Sequence, residues 1–375
     1  MKRSLTSFTI ALALGCTTLG FARQSHSDDA GAVFVMTNAA DKNEIIAYNR
    51  AANGALKEVS KFDTGGRGSG GLVDPLESQG SLILTRNHAF LLAVNAGSGS
   101  ISVFRVDGPR LSLADVVHSG GSEPNALAQF DDLVYVLNTG GSSGVAGFKL
   151  NENGKLTSIP NSVRFLSTNT SGAASLSFSP DGRFLVVTER LTDNIDVFSV
   201  HGDGTLSSVV LNQDSLPGTF AVTFAPNGSA LVVETGAAGA QNGSTISSYG
   251  ILDDGSIFPI SAGVPTLGAA TCWNAVTPDG RFVYTNNAGS SNISGFTING
   301  NGTLTALPNT IQASNPNGSA NIDLTISADG KFLYSLNAGI GSIGIFAINK
   351  DGSLKRLGFI GGVSAKSGFN GIAAL

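Results

Sequence analysis

One short pattern occurs seven times along this chain of 375 residues. A fixed period of this size means an array of a single supersecondary unit. The mark is a small polar residue, Gly, and an apolar residue shortly after. It reads Asn53-Gly54-Ala55-Leu56, Asp107-Gly108 with Leu111, Asn153-Gly154-Lys155-Leu156 and Asp203-Gly204-Thr205-Leu206. It continues as Asp254-Gly255-Ser256-Ile257, Asn301-Gly302-Thr303-Leu304 and Asp351-Gly352-Ser353-Leu354. Successive glycines lie 54, 46, 50, 51, 47 and 50 residues apart. Asn-Gly and Asp-Gly suit hairpin turns, because type I′ turns need positive φ at both central residues. Each unit therefore holds a hairpin, and the chain is predicted to be all-β.

Residues 172–210 show the unit most plainly. Ala174–Phe178 reads as a strand, Ser179-Pro180-Asp181-Gly182 as a turn and Phe184–Thr188 as an apolar second strand. After a loop, Ile195–Val200 is a third strand, His201-Gly202-Asp203-Gly204 a turn and Leu206–Leu211 a fourth. Four short strands in about 50 residues match a propeller blade. Second strands begin near Val33, Phe90, Leu133, Phe184, Ala230, Phe282 and Phe332, which makes seven blades. The first unit lacks an innermost strand before Ala32, and Gly368–Leu375 reads as an innermost strand with nothing after it. Together they complete one blade, and the closure removes exposed sheet edges. The expectation is a seven-bladed β-propeller of four antiparallel strands per blade over residues 32–375.

Runs such as Ser179-Pro180-Asp181-Gly182-Arg183-Phe184-Leu185-Val186-Val187-Thr188, and the one from Ala328 to Asn337, resemble the repeat of the lactonase-type seven-bladed propellers. That family includes propeller-type 6-phosphogluconolactonase and 3-carboxymuconate lactonizing enzyme, and the resemblance is strongest to its secreted branch. It implies opening or forming a lactone without metal or cofactor. Characterised members carry a His-Pro-His-like run at the start of an innermost strand. Here comparable starts read Ser171-Gly172-Ala173-Ala174 and Ala269-Ala270-Thr271-Cys272.

Lys2 and Arg3, the apolar Phe8–Leu19 run and the small residues of Gly20-Phe21-Ala22 read as an export signal over residues 1–22. Residues 23–31 read as a linker. An apolar run of about 12 residues is too short to cross a bilayer. Cys16 after Gly15 is a weak lipidation signal, because Ala13 stands where Leu is usual. Secretion or a periplasmic location follows, for a monomer with no membrane span. Mature Cys272 has no second cysteine to pair with, and a lone Cys beside Trp273 is more often buried packing than a nucleophile. A net charge of −5 argues against nucleic acid as a partner.

Strands run up and down in a blade, so the 1–2 and 3–4 turns share one face. The 2–3 loops and inter-blade 4–1 connections share the other. The second face collects the irregular segments 65–79, 119–125, 167–172, 236–244 and 313–320. Function concentrates on loops carried by a rigid scaffold, which puts the site there, at the channel mouth. Asn38, Asn95, Asn138, Asn287 and Asn337 recur at the end of second strands. Five copies predict a structural role, although Asn287 is kept among the residues that contact substrate. Glu189, followed by Arg190, breaks the pattern in one blade, and Glu234 in the next, one residue early if no gap is allowed, with Thr235 in the matching slot; the two are expected to face each other across the mouth.

In the innermost strands, counting back from the turns aligns Ser175, Ala221, Trp273 and Asp323 toward the channel. Trp273 then offers an apolar wall or channel packing, and Asp323 a channel carboxylate. Arg67, His118 and Arg190 are the basic residues of the working face. Opening a lactone needs a base to activate water and a cation or donor for the developing oxyanion. Glu189 with Arg190, or Glu234 with His118, would supply them, with Trp273, Asp323 and Arg67 holding a lactone or sugar-like ligand. No Lys/Arg cluster forms a phosphate clamp, so an unphosphorylated lactone is expected. The alternatives are a non-catalytic ligand- or protein-binding propeller, and a Ca²⁺ site drawing on Glu189, Glu234 and Asp323.

Overall fold

The computed structural model describes residues 29–375. The export-signal reading of residues 1–22, Cys16 included, lies outside them. Seven antiparallel sheets, each with four strands in meander order, form seven blades. Blade 4, for example, runs Ala173–Phe178, Phe184–Glu189, Asn194–Ser199 and Val210–Gln213 from the innermost strand outward. Blade 3 adds a short fifth piece, Arg164–Phe165. In blade 2 the innermost strand is only Leu82–Leu84, because the long connection before it takes up the preceding residues. The second strands are apolar runs such as Phe332–Asn337, buried along their whole length. They lie mid-blade with a neighbouring blade on either side, so both faces must be apolar. Outer strands such as Leu56–Asp63 are largely exposed.

The ring closes as expected. Asn370–Ala374 pairs with Asp29–Met36, Val33 opposite Ala374 and Met36 opposite Asn370. The first strand starts at Asp29, inside the stretch read as linker. Arg50 spans the same seam: it is buried, 3.4 Å from Asp329 of blade 7 and 3.2 Å from the backbone oxygen of Leu375. The outer strand of blade 4 differs from expectation. It occupies 210–213 rather than 206–211, and Leu206 makes only an isolated bridge to Val200. The Ser207 hydroxyl accepts the Ser199 N–H and so interrupts the ladder.

The repeated glycine has a packing reason beyond its turn. Gly54 has φ +85°, and a Cβ there would stand 2.4 Å from the Phe332 ring of the preceding blade. Its carbonyl accepts the Tyr334 hydroxyl at 3.0 Å. The same stitch joins Tyr284 to Gly352 and Tyr135 to Gly204. In these three blades turn glycine and second-strand tyrosine thus form one device.

Candidate functional site

The inter-blade connection after Leu56–Asp63 crosses the channel instead of skirting it. Gly70, Gly71 and Gly80 all have positive φ and let the chain turn inward and back out. Between them, the contacts of this segment are spread over four blades. Gly368 N–H donates to Leu72 O at 2.8 Å, and Asn370 Nδ2 to Asp74 Oδ1 at 2.9 Å. Ser78 donates through its hydroxyl to Asn125 O at 2.8 Å, and its carbonyl accepts Trp273 Nε1–H at 3.0 Å. Gln79 N–H donates to Ala174 O, and its side-chain amide grips both backbone groups of Asn274, at 2.9 and 3.0 Å. Leu127 N–H donates to Gly80 O. Residues 72–80 are therefore bonded to the innermost strands of blades 1, 3, 4 and 6 and cap the channel on the loop face.

This cap determines what the expected mouth residues do. Trp273 is buried beneath it, 5.3 Å from the Phe220 ring in an edge contact. Of the two readings of Trp273, the structure has packing. Arg190 pairs with Glu77 of the cap, not with Glu189. Asp323 faces the channel, as expected, accepting Ile372 and Leu324 N–H groups at 3.1 and 2.9 Å. Burial, opposed by those bonds, pushes its carboxyl up to about 7. Above it, Asp74 is pushed up to about 8 by desolvation and the nearby Glu77 and Asp323 charges, against the Asn370 bond. Burial also raises the Cys272 thiol, which suits the packing reading.

Glu189 and Glu234 do not face each other across a mouth. Each is fully buried inside its own blade, in the bracing position held elsewhere by Asn. Asn95 and Asn287 show what that position does. Asn95 Nδ2 donates to Ser100 and Ser102, while its Oδ1 accepts Thr64 from the incoming connection. Asn287 likewise donates to Asn292 and Ser294 and accepts Thr271. The Asn ties its own 2–3 loop to the 4–1 connection, so the structural role expected of the pattern holds, and Asn287 is enclosed within it.

Glu189 makes the same brace with more acceptors. It takes the Ser167 N–H at 3.0 Å, the Ser167 and Thr192 hydroxyls at 2.5 Å and Asn194 Nδ2 at 3.0 Å. Asp196 stands where Asn95 and Asn287 have serine partners. It has no other hydrogen-bond partner, and burial together with Glu189 lifts its carboxyl to about 8. A proton kept on Asp196 lets it donate to the Glu189 carboxylate. Glu234 accepts Thr245 at 2.6 Å and is raised to about 8 by burial and Asp214, whose own carboxyl burial also raises. Glu189, Glu234 and Asp323 thus sit in three separate networks. Among the described residues no group of three or more His, Cys, Asp or Glu is arranged to hold a metal ion.

His118 and Glu234 are not brought together either. His118 is exposed at the end of Arg110–His118 and lines an open cleft of about 550 Å³ between blades 2 and 3 on the loop face. Glu123, exposed and with φ +51°, lines the same cleft, as do Ser98, Ser122, Thr139 and Asn125. Gly120 N–H donates to His118 Nδ1 at 3.1 Å, so the neutral ring carries its proton on Nε2. Arg67 is exposed beside this cleft, its N–H bonded to the Ser98 hydroxyl at 3.0 Å. Sequence reasoning missed Glu123, Asp74 and Glu77. All three lie in segments it had marked as irregular, but only their left-handed backbone turns them where they stand.

The family profile described as "Lactonase, 7-bladed beta-propeller" matches residues 25–167, 142–255 and 275–364. No curated protein matches the chain in sequence. Among solved structures, the proposed 6-phosphogluconolactonase of Bacteroides uniformis superposes with a TM-score of 0.69 at 21% identity, over 92% of this chain and 100% of that one. The periplasmic gluconolactonase of Pseudomonas aeruginosa gives 0.66 at 17% identity, over 90% and 98%. Virginiamycin B lyase of Staphylococcus aureus gives 0.51 at 14%, over 76% and 86%. At these identities the structures share the fold, while the profile covers most of the repeat array. The chain belongs to the lactonase family of seven-bladed β-propellers.

Proposed function

We propose that this chain hydrolyses an unphosphorylated lactone in the cleft between blades 2 and 3. The observation that carries the reading is that His118 and Glu123 line one open cleft of suitable size, whereas Glu189 and Glu234 are sealed. Glu123 is the base that takes a proton from the attacking water. His118 Nε2–H donates to the carbonyl oxygen as negative charge develops there. The ring C–O bond then breaks, and the leaving alkoxide takes the proton back from Glu123, giving a hydroxy acid. The hydroxyls of Ser98, Ser122 and Thr139 suit a polyhydroxylated ring.

We further infer that residues 1–22 direct export, on their positive start, short apolar run and small residues. An exported enzyme meets free sugar lactones more readily than phosphorylated ones. Intact-mass measurement of the exported protein should then begin at or near Arg23, and retention of Met1 in a soluble cytoplasmic form would refute it.

The test of activity is a panel of unphosphorylated aldonolactones. Glu123→Gln should cut turnover by roughly 10²–10⁴-fold, and His118→Ala by roughly 10²–10³-fold. Glu189→Gln, altering a brace, should keep turnover. If Glu123→Gln retains full activity while Glu189→Gln abolishes it, the base is the buried carboxylate and the cleft is not the site. If the parent turns over no lactone, the enzyme reading fails in favour of a ligand-binding propeller.

A further inference from the structure

We propose that the central channel is a second binding site, entered from the face opposite the cleft, for a small carboxylate with an apolar body. The inference is independent of the lactonase reading. With residues 72–80 capping the loop face, the space beneath opens toward the 1–2 turns, where Arg86, Pro180 and Pro226 form its rim. It holds about 550 Å³, and a smaller lobe of about 220 Å³ shares Gln79, Gly80, Ile83 and Leu84 with it. That volume is in the range of small-molecule pockets, which are mostly apolar with a few placed polar groups.

The lining has that character. Ile83, Leu84, Phe224 and Val276, all partly exposed, supply the apolar wall, while Leu127, Leu176, Phe178 and Val222 are packed in the cores between blades. Ser175, Ser177 and Thr223 supply hydroxyls, and Gln79 closes the inner end.

The charge is at the rim. The Arg86 guanidinium lies over the Phe130 ring, 4.5 Å from its centroid, and donates one N–H to Pro180 O at 3.4 Å. Stacking and that bond hold the group in place. Among the described residues no carboxylate is within ion-pair distance of it. A positioned guanidinium with spare donors binds a planar carboxylate well. Among the described residues Asp323 is the one carboxylate lining the space, and it is in the smaller lobe with His88. The anionic end of a ligand therefore sits at Arg86, and its apolar end runs inward.

Phenylacetate is a suitable probe, titrated calorimetrically against the parent protein and three variants. Saturable one-to-one binding is expected, with phenylacetamide at least about tenfold weaker, as befits loss of a charge-assisted pair. Arg86→Ala should weaken phenylacetate by a similar factor. Ser177→Phe, which fills the channel, should abolish binding with the thermal midpoint retained. Arg105→Ala removes a guanidinium stacked on Phe90, away from the channel, and should change nothing. Absence of saturable binding, or binding that survives Ser177→Phe, overturns the proposal. Equal affinity for acid and amide overturns the role given to Arg86.

Discussion

Glu189 and Glu234 stand where five other blades carry Asn38, Asn95, Asn138, Asn287 and Asn337. The break in the pattern was legible in the sequence; its meaning was not, because an acidic side chain at the end of a strand reads the same whether it meets solvent or a second carboxyl. Here it meets Asp196 in one blade and Asp214 in the next. The consequence is a pH dependence. Asp196, lifted from an ordinary carboxylate value to about 8, keeps a proton in the folded chain over a window in which the unfolded chain has released it. Stability from this group therefore falls as pH rises from about 4 to about 8. Asp196→Asn keeps the shape without the ionisation. It should stabilise the protein at about pH 8, on the order of 1–3 kcal/mol, and do so less at about pH 5. Thermal scans with the same pH profile for parent and variant would show that Asp196 keeps no extra proton in the folded chain.

The connection over residues 65–79 was marked by its irregularity alone. That it caps the channel depends on partners far along the chain, such as Asn370, 296 positions from Asp74. No local propensity encodes such a contact, although the glycines that permit the turn inward were visible. Gln79 is the best place to test the cap, since its amide satisfies both backbone groups of Asn274. Gln79→Ala leaves that N–H and carbonyl unpaired, at a cost of roughly 1–3 kcal/mol. Trp273, the chain's single Trp, is bonded to Ser78 of the same segment. Its fluorescence should become more accessible to acrylamide in the variant, with backbone exchange rising over residues 72–80. Arg190→Ala, which removes a partly exposed ion pair, should do much less. Unchanged quenching in Gln79→Ala would mean that the cap is held mainly elsewhere.

A ring of blades has no stable open form in which a few strands hang free, because each blade packs on two neighbours. Asn370–Ala374 is the innermost strand of a blade whose other three strands come from the opposite end of the chain. Removing residues 368–375 should therefore lower the unfolding midpoint sharply and broaden the transition, whereas a truncated protein that melts like the parent would mean the seam contributes little. This closure, the blade count and the all-β class were all readable beforehand. A repeat states its architecture many times over, and errors in one copy, such as the outer strand of blade 4, do not propagate. The candidate site was legible only in part. Sequence pointed to the loop face and to His118, which lines the cleft proposed as the site, but it paired His118 with Glu234, which lies two blades away from that cleft. Chemistry is carried by residues that occur once, so repetition offers no second copy against which to check them. Period and turn chemistry, which act over a few residues, determined the fold. Which carboxylates are open, paired or buried depended on how the ring brings distant loops together, and only the tertiary structure decided that.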